Sequence, residues 1–274
     1  MQTRRTFEAF WQDVNSRLFN HPVIVSNPYT TVFAKEVPND KQVMGLFRQF
    51  SVFSNYFLVI QAKRMVFAGL EGEREARVIL ASELGVGLDV EKGEIDGNTF
   101  FHKHAHINWL RETGSVFGSD EVSFYGRWDI ACRSTRNFLR LLEESYGSSD
   151  RNVGAGASFA VETWAAWGIG NPPAEGVGKH WQEENNFWKQ LVTGLQIYNM
   201  SRLKPNDMSP VDPRFFQYHF EIERGHGASV MRELTETFDT EGFNETQWFQ
   251  GGMRALDALD IFWLGLSEQW RHLR

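Results

Sequence analysis

The sequence between Phe215 and His226 reads FFQYHFEIERGH and sets ionisable side chains among large aromatic ones. Successive residues of an α-helix turn by about 100°, so the positions four and seven after a residue return to its face. His219, Glu223 and His226 therefore share one face, whereas Glu221 points to nearly the opposite one. Two imidazoles and one carboxylate form a suitable ligand set for iron or manganese. The segment predicts a helix that carries half of a binuclear metal site.

The same three residues have a simpler interpretation as the polar stripe of a solvated helix. Aromatic residues flank them, however, and polar groups in such surroundings need partners or water. Gly225 and Gly227 each weaken a helix by about 1 kcal/mol relative to alanine. We therefore favour a metal-binding helix, and we expect it to open or become ordered around the metal.

The composition limits the classes of partner. The chain has 274 residues and a net charge of −7, which disfavours general affinity for nucleic acid or anionic lipid. We expect a single domain over residues 1–274, with a small-molecule substrate, no nucleic-acid partner and no membrane association. The single cysteine, Cys132, excludes an internal disulfide and any cysteine-rich metal site. With no signal-peptide pattern or membrane span, a cytoplasmic location is expected.

The hydrophobic pattern is helical along most of the chain and indicates an all-α bundle. Alternating strand patterns are hard to find. The predicted helices are Phe7 to Phe19, Lys41 to Phe67, Arg74 to Leu84, Phe100 to Arg111, Asp129 to Tyr146, Phe159 to Trp167, His180 to Leu195, Pro213 to Phe238 and Gln247 to Arg271. The predicted loops are Ser26 to Asp40, Gly85 to Thr99, Gly147 to Gly156 and Gly168 to Gly178.

A carboxylate stands out in the apolar stretch SFAVETWAAW, which runs from Ser158 to Trp167. Burying Glu162 there without a cation or hydrogen bonds would be costly. A role as a bridging metal ligand explains its position. The alternative is an ion pair with an arginine such as Arg127.

Earlier in the chain, Glu83 ends a predicted helix just before Gly85 and Gly87. A histidine cluster, His102, His104 and His106, follows. Because these histidines alternate by two, they cannot all face one site on a helix. Our first choice as a ligand is His104, and His106 is the alternative.

These motifs together resemble the haem-oxygenase-like di-iron oxidases and oxygenases. In that family one core helix carries a histidine, an acid four residues later and a histidine three beyond, which His219, Glu223 and His226 match. Glu162 matches the single acid of another core helix. The resemblance covers most of the chain and implies a haem-oxygenase-like helical bundle of about seven to nine helices. It also implies two Fe(II) ions, with dioxygen as co-substrate.

The resemblance further implies that Glu83 and His104 complete a six-residue ligand set with Glu162, His219, Glu223 and His226. The interval between Glu83 and His104 is longer than is usual in the family. Glu94 and Asp96 are therefore alternatives to Glu83.

Other helical protein classes fit the sequence less well. Ferritin-like di-iron proteins normally carry two Glu-x-x-His pairs, whereas here Glu223 and His226 form one. A haem protein would need a proximal histidine, and His21 lies beside the helix-breaking Pro22. A helical hydrolase would need a nucleophile, for which Cys132 is the only thiol. We interpret that thiol as a packed small residue.

The substrate class follows only from the resemblance, which implies N-oxygenation, desaturation or oxidative cleavage, often in natural-product biosynthesis. Our first expectation is an amino-acid-like substrate whose carboxylate binds Arg127 or Arg133. A fatty-acid-type decarboxylase or desaturase is one alternative, and a non-catalytic helical binding protein that retains the fold is another. The oligomeric state stays open, with a homodimer as one option.

Overall fold

The computed structural model describes residues 5–89, 94–100, 105–118, 125–168, 181, 183–202 and 210–274. Within these ranges the chain forms eleven α-helices and one antiparallel hairpin. The helices are α1 (Phe7–Asp13), α2 (Pro22–Val25), α3 (Pro28–Phe33), α4 (Asp40–Phe67), α5 (Leu70–Glu83), α6 (His106–Gly114), α7 (Arg133–Ser145), α8 (Arg151–Ala165), α9 (Phe187–Arg202), α10 (Arg214–Phe238) and α11 (Glu245–His272). The strands are β1 (Val86–Asp89) and β2 (Glu94–Phe100).

Helix α4 crosses the centre of the bundle. A capping box fixes its start, because Asn39 and Gln42 each accept a hydrogen bond from the backbone N–H of the other. Its length and composition alone would suit a membrane span, but 56% of its most apolar window is buried inside the protein. Its polar residues Gln61 and Arg64 are buried as well and bond to other helices. These features are those of a core helix.

Helices α8 and α11 approach each other more closely than ordinary side chains would allow. A Cβ atom at Gly156 would lie 1.8 Å from the carbonyl oxygen of Trp248. A Cβ atom at Gly251 would lie 1.9 Å from the carbonyl oxygen of Val153. Only glycine permits such backbone contact. This pair of helices therefore fixes the position of α8, the helix that carries Glu162.

The all-α class is confirmed, but the part of the chain that the structure describes has more helices than the seven to nine predicted. The predicted loop Ser26 to Asp40 contains α3, whose start is capped by Asn27. The predicted loop Gly147 to Gly156 is wrong in its second half, because Asp150 caps α8 and the helix begins at Arg151. Glycine at position 156 serves helix packing there and not chain reversal.

The segment from Gly85 to Phe100 also differs from the prediction. It contains β1 and β2, paired with Val86 opposite Phe100 and Asp89 opposite Glu94, where a loop was expected. Helix α6 starts at His106, six residues later than predicted. The sequence EIDGNTF of β2 carries aspartate, glycine and asparagine in its middle, which are residue types depleted in strands, so the hairpin gives no clear signal in the sequence.

Candidate metal centre

The polar face of α10 lies inside the bundle. His219 and Glu223 are 4% and 7% exposed, whereas Glu221 is exposed to solvent. The Nδ1–H of His219 donates to the carbonyl oxygen of Phe215 over 2.6 Å, which leaves Nε2 available as a ligand. The ring of Trp188 stacks on this imidazole, with centroids 5.0 Å apart. The imidazole is thus held in one orientation.

Three elements contribute to a first cluster, called here the Glu83 triad: Glu83, His106 and His219. Glu83 is the last residue of α5 and His106 is the first of α6. Glu83 Oε2 lies 3.1 Å from His106 Nδ1, and Glu83 Oε1 lies 3.7 Å from His219 Nε2. The potential ligand atoms all lie within 4.8 Å of one another, and all three residues are buried or nearly so. This arrangement could hold one metal ion.

A second cluster, the Glu162 triad, joins Glu162 of α8 to Glu223 and His226 of α10. His226 Nδ1 lies 2.9 Å from Glu223 Oε2 and 3.6 Å from Glu162 Oε2. The three ligand atoms again lie within 4.8 Å of one another. Helix α10 contributes to both triads through residues one turn apart, so the two candidate ion sites are neighbours.

The Glu83 triad balances its own charge. Burial raises the pKa of Glu83, but His106 and His219 lower it by more, so the net shift is far downward. Burial lowers the pKa of His219, and Glu83 more than offsets this. The carboxylate is therefore ionised beside two imidazoles, one of which holds a proton more strongly than usual.

The Glu162 triad contains two carboxylates and a single imidazole. Burial raises the pKa of Glu162, and the neighbouring Glu223 adds to that rise while His226 partly offsets it. Burial also raises the pKa of Glu223, but His226 lowers it by more, so the pKa of Glu223 lies below its usual value. Two buried carboxylates and one imidazole are a poor arrangement without a cation and a good one around it. The donor set fits a divalent metal.

An apolar cavity adjoins both triads. Besides the charged residues of the triads, its lining among the described residues is aromatic, aliphatic or small: Phe50, Phe53, Ser54, Phe57, Ile79, Val161, Trp164, Ala165, Trp188 and Phe215. No lysine or arginine is among them. Such a lining excludes water and suits an apolar part of a small molecule.

The structure brings together five of the six residues proposed as ligands: Glu83, Glu162, His219, Glu223 and His226. His104 lies outside the described residues, and His106, the alternative, stands next to Glu83. Glu94 and Asp96 are in β2, after the end of α5. The alternative pairing of Glu162 with Arg127 is wrong, because Arg127 is exposed and its guanidinium pairs with Asp129 at 2.8 Å.

The proposed carboxylate anchors are not at the cavity. Arg127 and Arg133 are both exposed on the surface, and Arg133 lines a separate groove between α7 and α11. The periodicity of α7 could not indicate which residues near its start face the interior. The residues missed from the sequence are Tyr146, which contacts Glu162, and Trp188. Neither carries a sequence motif, because the fold alone brings them to the site.

Two rival site residues lie elsewhere in the fold. Both ring nitrogens of His21 are engaged, Nδ1 by the N–H of Val23 and Nε2 by Asp257 at 3.1 Å. The Sγ atom of Cys132 lies 3.0 Å from the hydroxyl of Ser134 and does not line the cavity. These contacts argue against a haem ligand at His21 and a nucleophile at Cys132.

Comparison with known proteins gives a structural match only. Neither a protein-family model nor a curated protein matches the sequence. Among solved structures, the chain is similar to a CADD-like protein of unknown function from Nostoc punctiforme PCC 73102, with a TM-score of 0.60 and 14% identity. The alignment covers 96% of this chain and 97% of that one. At this identity the similarity establishes a shared fold over nearly the whole length.

Proposed function

We propose that this protein is a non-haem di-iron enzyme that activates dioxygen to oxidise a small organic substrate. The observation that carries the proposal is the pair of neighbouring triads at one apolar cavity, with four carboxylate or imidazole groups from α10 and α8 and two from α5 and α6. Nitrogen and oxygen donors without thiolate are typical of non-haem iron sites. The shared fold with a CADD-like protein is compatible with it.

The residues of the chain have separate tasks in this proposal. The Glu83 triad would hold one ferrous ion and the Glu162 triad the other. When bound, the two ferrous ions would supply two of the four electrons that reduce dioxygen to the level of water, and the substrate that is oxidised would supply the other two. The protein contributes fixed ligands, because Phe215 and Trp188 orient His219 and the α8–α11 contact fixes Glu162.

The cavity favours a substrate with an apolar part near the reacting atoms. Phe53, Phe57 and Ile79 would hold such a group and keep water from the site. An amino-acid-like substrate with an aromatic or aliphatic side chain suits this lining. A fatty-acid-type substrate is the second candidate, because an alkyl chain also suits the aromatic and aliphatic residues of the described lining.

The proposal can be tested by oxygen consumption. The purified protein is loaded anaerobically with two equivalents of Fe(II) and mixed with oxygenated buffer, with and without panels of amino acids and fatty acids. Substrate-dependent oxygen uptake is expected for the wild type. It should be lost in Glu223→Gln and kept in Glu221→Gln, a matched change on the exposed side of α10.

These outcomes distinguish an oxygen-activating enzyme from a metal-retaining binding protein. Uptake that depends on Glu223 and on a substrate supports the enzyme. Iron binding without any substrate-dependent uptake across both panels would instead indicate a metal-retaining binding protein. Uptake that is equal in the two variants would contradict the assignment of the site.

A further inference from the structure

Tyr146 lies directly behind the Glu162 triad. It follows the last residue of α7, and its side chain is fully buried, with its ring 5.5 Å from that of Phe57 in an edge-on contact. Its hydroxyl is 2.6 Å from Glu162 Oε1. A phenol buried against a proposed metal ligand is in a position to control that ligand.

The hydrogen bonds of this hydroxyl have defined directions. An ionised carboxylate can only accept, so the phenol O–H donates to Glu162. The amide Nε2 of Gln61 donates to the phenol oxygen over 2.8 Å, and the hydroxyl of Ser158 lies 3.3 Å away as a second donor. The phenol hydroxyl thus donates one hydrogen bond, to Glu162, and accepts two, from Gln61 and Ser158. These contacts favour the orientation in which the hydroxyl points to Glu162.

Because of this contact, the two carboxylate oxygens of Glu162 have different partners. Oε1 accepts from Tyr146, whereas Oε2 faces His226 at 3.6 Å. A carboxylate that bridges two ions, as the sequence predicted for Glu162, uses both oxygens. Here Oε1 accepts the hydrogen bond of the phenol, which competes with binding of a metal ion through that oxygen.

We propose that Tyr146 is a positioning residue that keeps Glu162 a ligand through Oε2 alone, bound to the ion held by Glu223 and His226. The inference rests on the proposed function, since it requires a metal ion in the Glu162 triad. Loss of the phenol hydroxyl frees Oε1, so Glu162 can rotate to chelate or bridge. Mutation of such outer partners commonly changes metal affinity about 10–100-fold.

Cobalt(II) titration followed by visible absorption provides a readout that is independent of turnover, because the ligand-field bands respond to coordination number and geometry. The variants are Tyr146→Phe and, as a milder change, Gln61→Met, which removes the donor that fixes the phenol. The matched control is Tyr29→Phe, a buried tyrosine on α3 that does not line the cavity. Circular dichroism melting checks that each variant is folded.

We expect Tyr146→Phe to alter the bands and to change the affinity of one of two binding steps about 10–100-fold, while the other step stays the same. Gln61→Met should shift both readouts in the same direction by less. Wild-type bands and affinities in a folded Tyr146→Phe variant would overturn the positioning role and leave the metal site standing. A wild-type protein that binds no cobalt would overturn the proposed metal centre, and the inference with it.

Discussion

The Glu83 triad and the Glu162 triad use the same donor types in opposite proportions. The first has one carboxylate and two imidazoles, whereas the second has two carboxylates and one imidazole. Without a metal, the carboxylate of the first triad has two imidazoles beside it, whereas in the second triad burial and the neighbouring Glu223 disfavour the ionised form of Glu162. We therefore expect the Glu162 triad to depend more on a cation and to hold the tighter of the two proposed ions.

The supports of the two triads differ as well. Glu162 lies in the last turn of α8, six residues after Gly156, where the backbone of α8 touches that of α11. Glu83 instead is the final residue of α5, directly before the turn into the hairpin. A ligand from a clamped helix is preorganised, whereas one at a helix end moves more readily. We therefore expect metal binding to order the Glu83 triad more than the Glu162 triad.

The largest expected effect is on the tighter site. Glu223→Ala removes a direct ligand, so the first Fe(II)-binding step should weaken by at least about 100-fold, the upper range for outer-partner changes. Anaerobic competition with a chelator of known affinity measures it. His219→Ala is the counterpart in the other triad and should weaken the second step only. An equal loss in both steps from either change would contradict the division into two triads.

The next largest expected effect concerns the close backbone contact between α8 and α11. Gly156→Ala would push a methyl group into the carbonyl of Trp248 and should lower the free energy of unfolding by about 1–3 kcal/mol. Urea denaturation measures the change. Gly242→Ala is the control, since a Cβ there meets nothing within 4 Å, and it should stay within about 0.5 kcal/mol. An unchanged free energy of unfolding in Gly156→Ala would mean that the contact with Trp248 does not fix α8.

The metal-free protein should respond in opposite directions to two carboxylate changes. Glu83→Gln leaves His106 and His219 without their counter-charge and should destabilise the protein by about 1–3 kcal/mol. Glu162→Gln relieves the repulsion with Glu223 and should be neutral or stabilising. Thermal melting in chelator compares them. Destabilisation of similar size in both variants would remove the charge difference on which the comparison rests.

The smallest expected effect is a pH dependence centred on His226. Burial lowers the pKa of its imidazole, but Glu223 and Glu162 raise it by more, to well above the usual value. In the metal-free protein the stability from this proton is complete below about pH 6.5 and is lost as pH rises through the folded pKa. Metal binding must displace the proton, so affinity should rise about tenfold per pH unit across that window.

Melting curves and iron titrations at several pH values check this prediction. The metal-free melting temperature should fall from pH 6.5 upward, while the gain in stability on adding iron should grow. Affinity that does not depend on pH in this range would show that His226 is not displaced by the metal.

Helix periodicity predicts the part of the candidate site that lies on α10. The shared face of His219, Glu223 and His226 follows from the 3.6-residue repeat. An acid in an apolar run predicts a buried role for Glu162, which lies beside Glu223 and His226. The choice between His104 and His106 depended on where α6 begins. Helix ends are uncertain by a few residues in sequence, and His106 proves to be the first residue of α6.

Other features depend on tertiary packing and could not be predicted from spacing. The direction of Arg127 and Arg133 depends on which face of the α7 region meets α4 and α11, and both are on the surface. Tyr146, which directly follows α7, reaches Glu162 from 16 residues earlier in the chain, with no motif to mark it. The hairpin was missed because its strands contain glycine, asparagine and aspartate.

The most direct test of the central claim is anomalous diffraction at the iron edge from crystals prepared anaerobically with Fe(II). We predict two peaks, one among Glu83, His106 and His219 and one among Glu162, Glu223 and His226, with the second peak the stronger at limiting iron. The absence of iron from both triads at saturating Fe(II), or a peak at other residues only, would contradict the account.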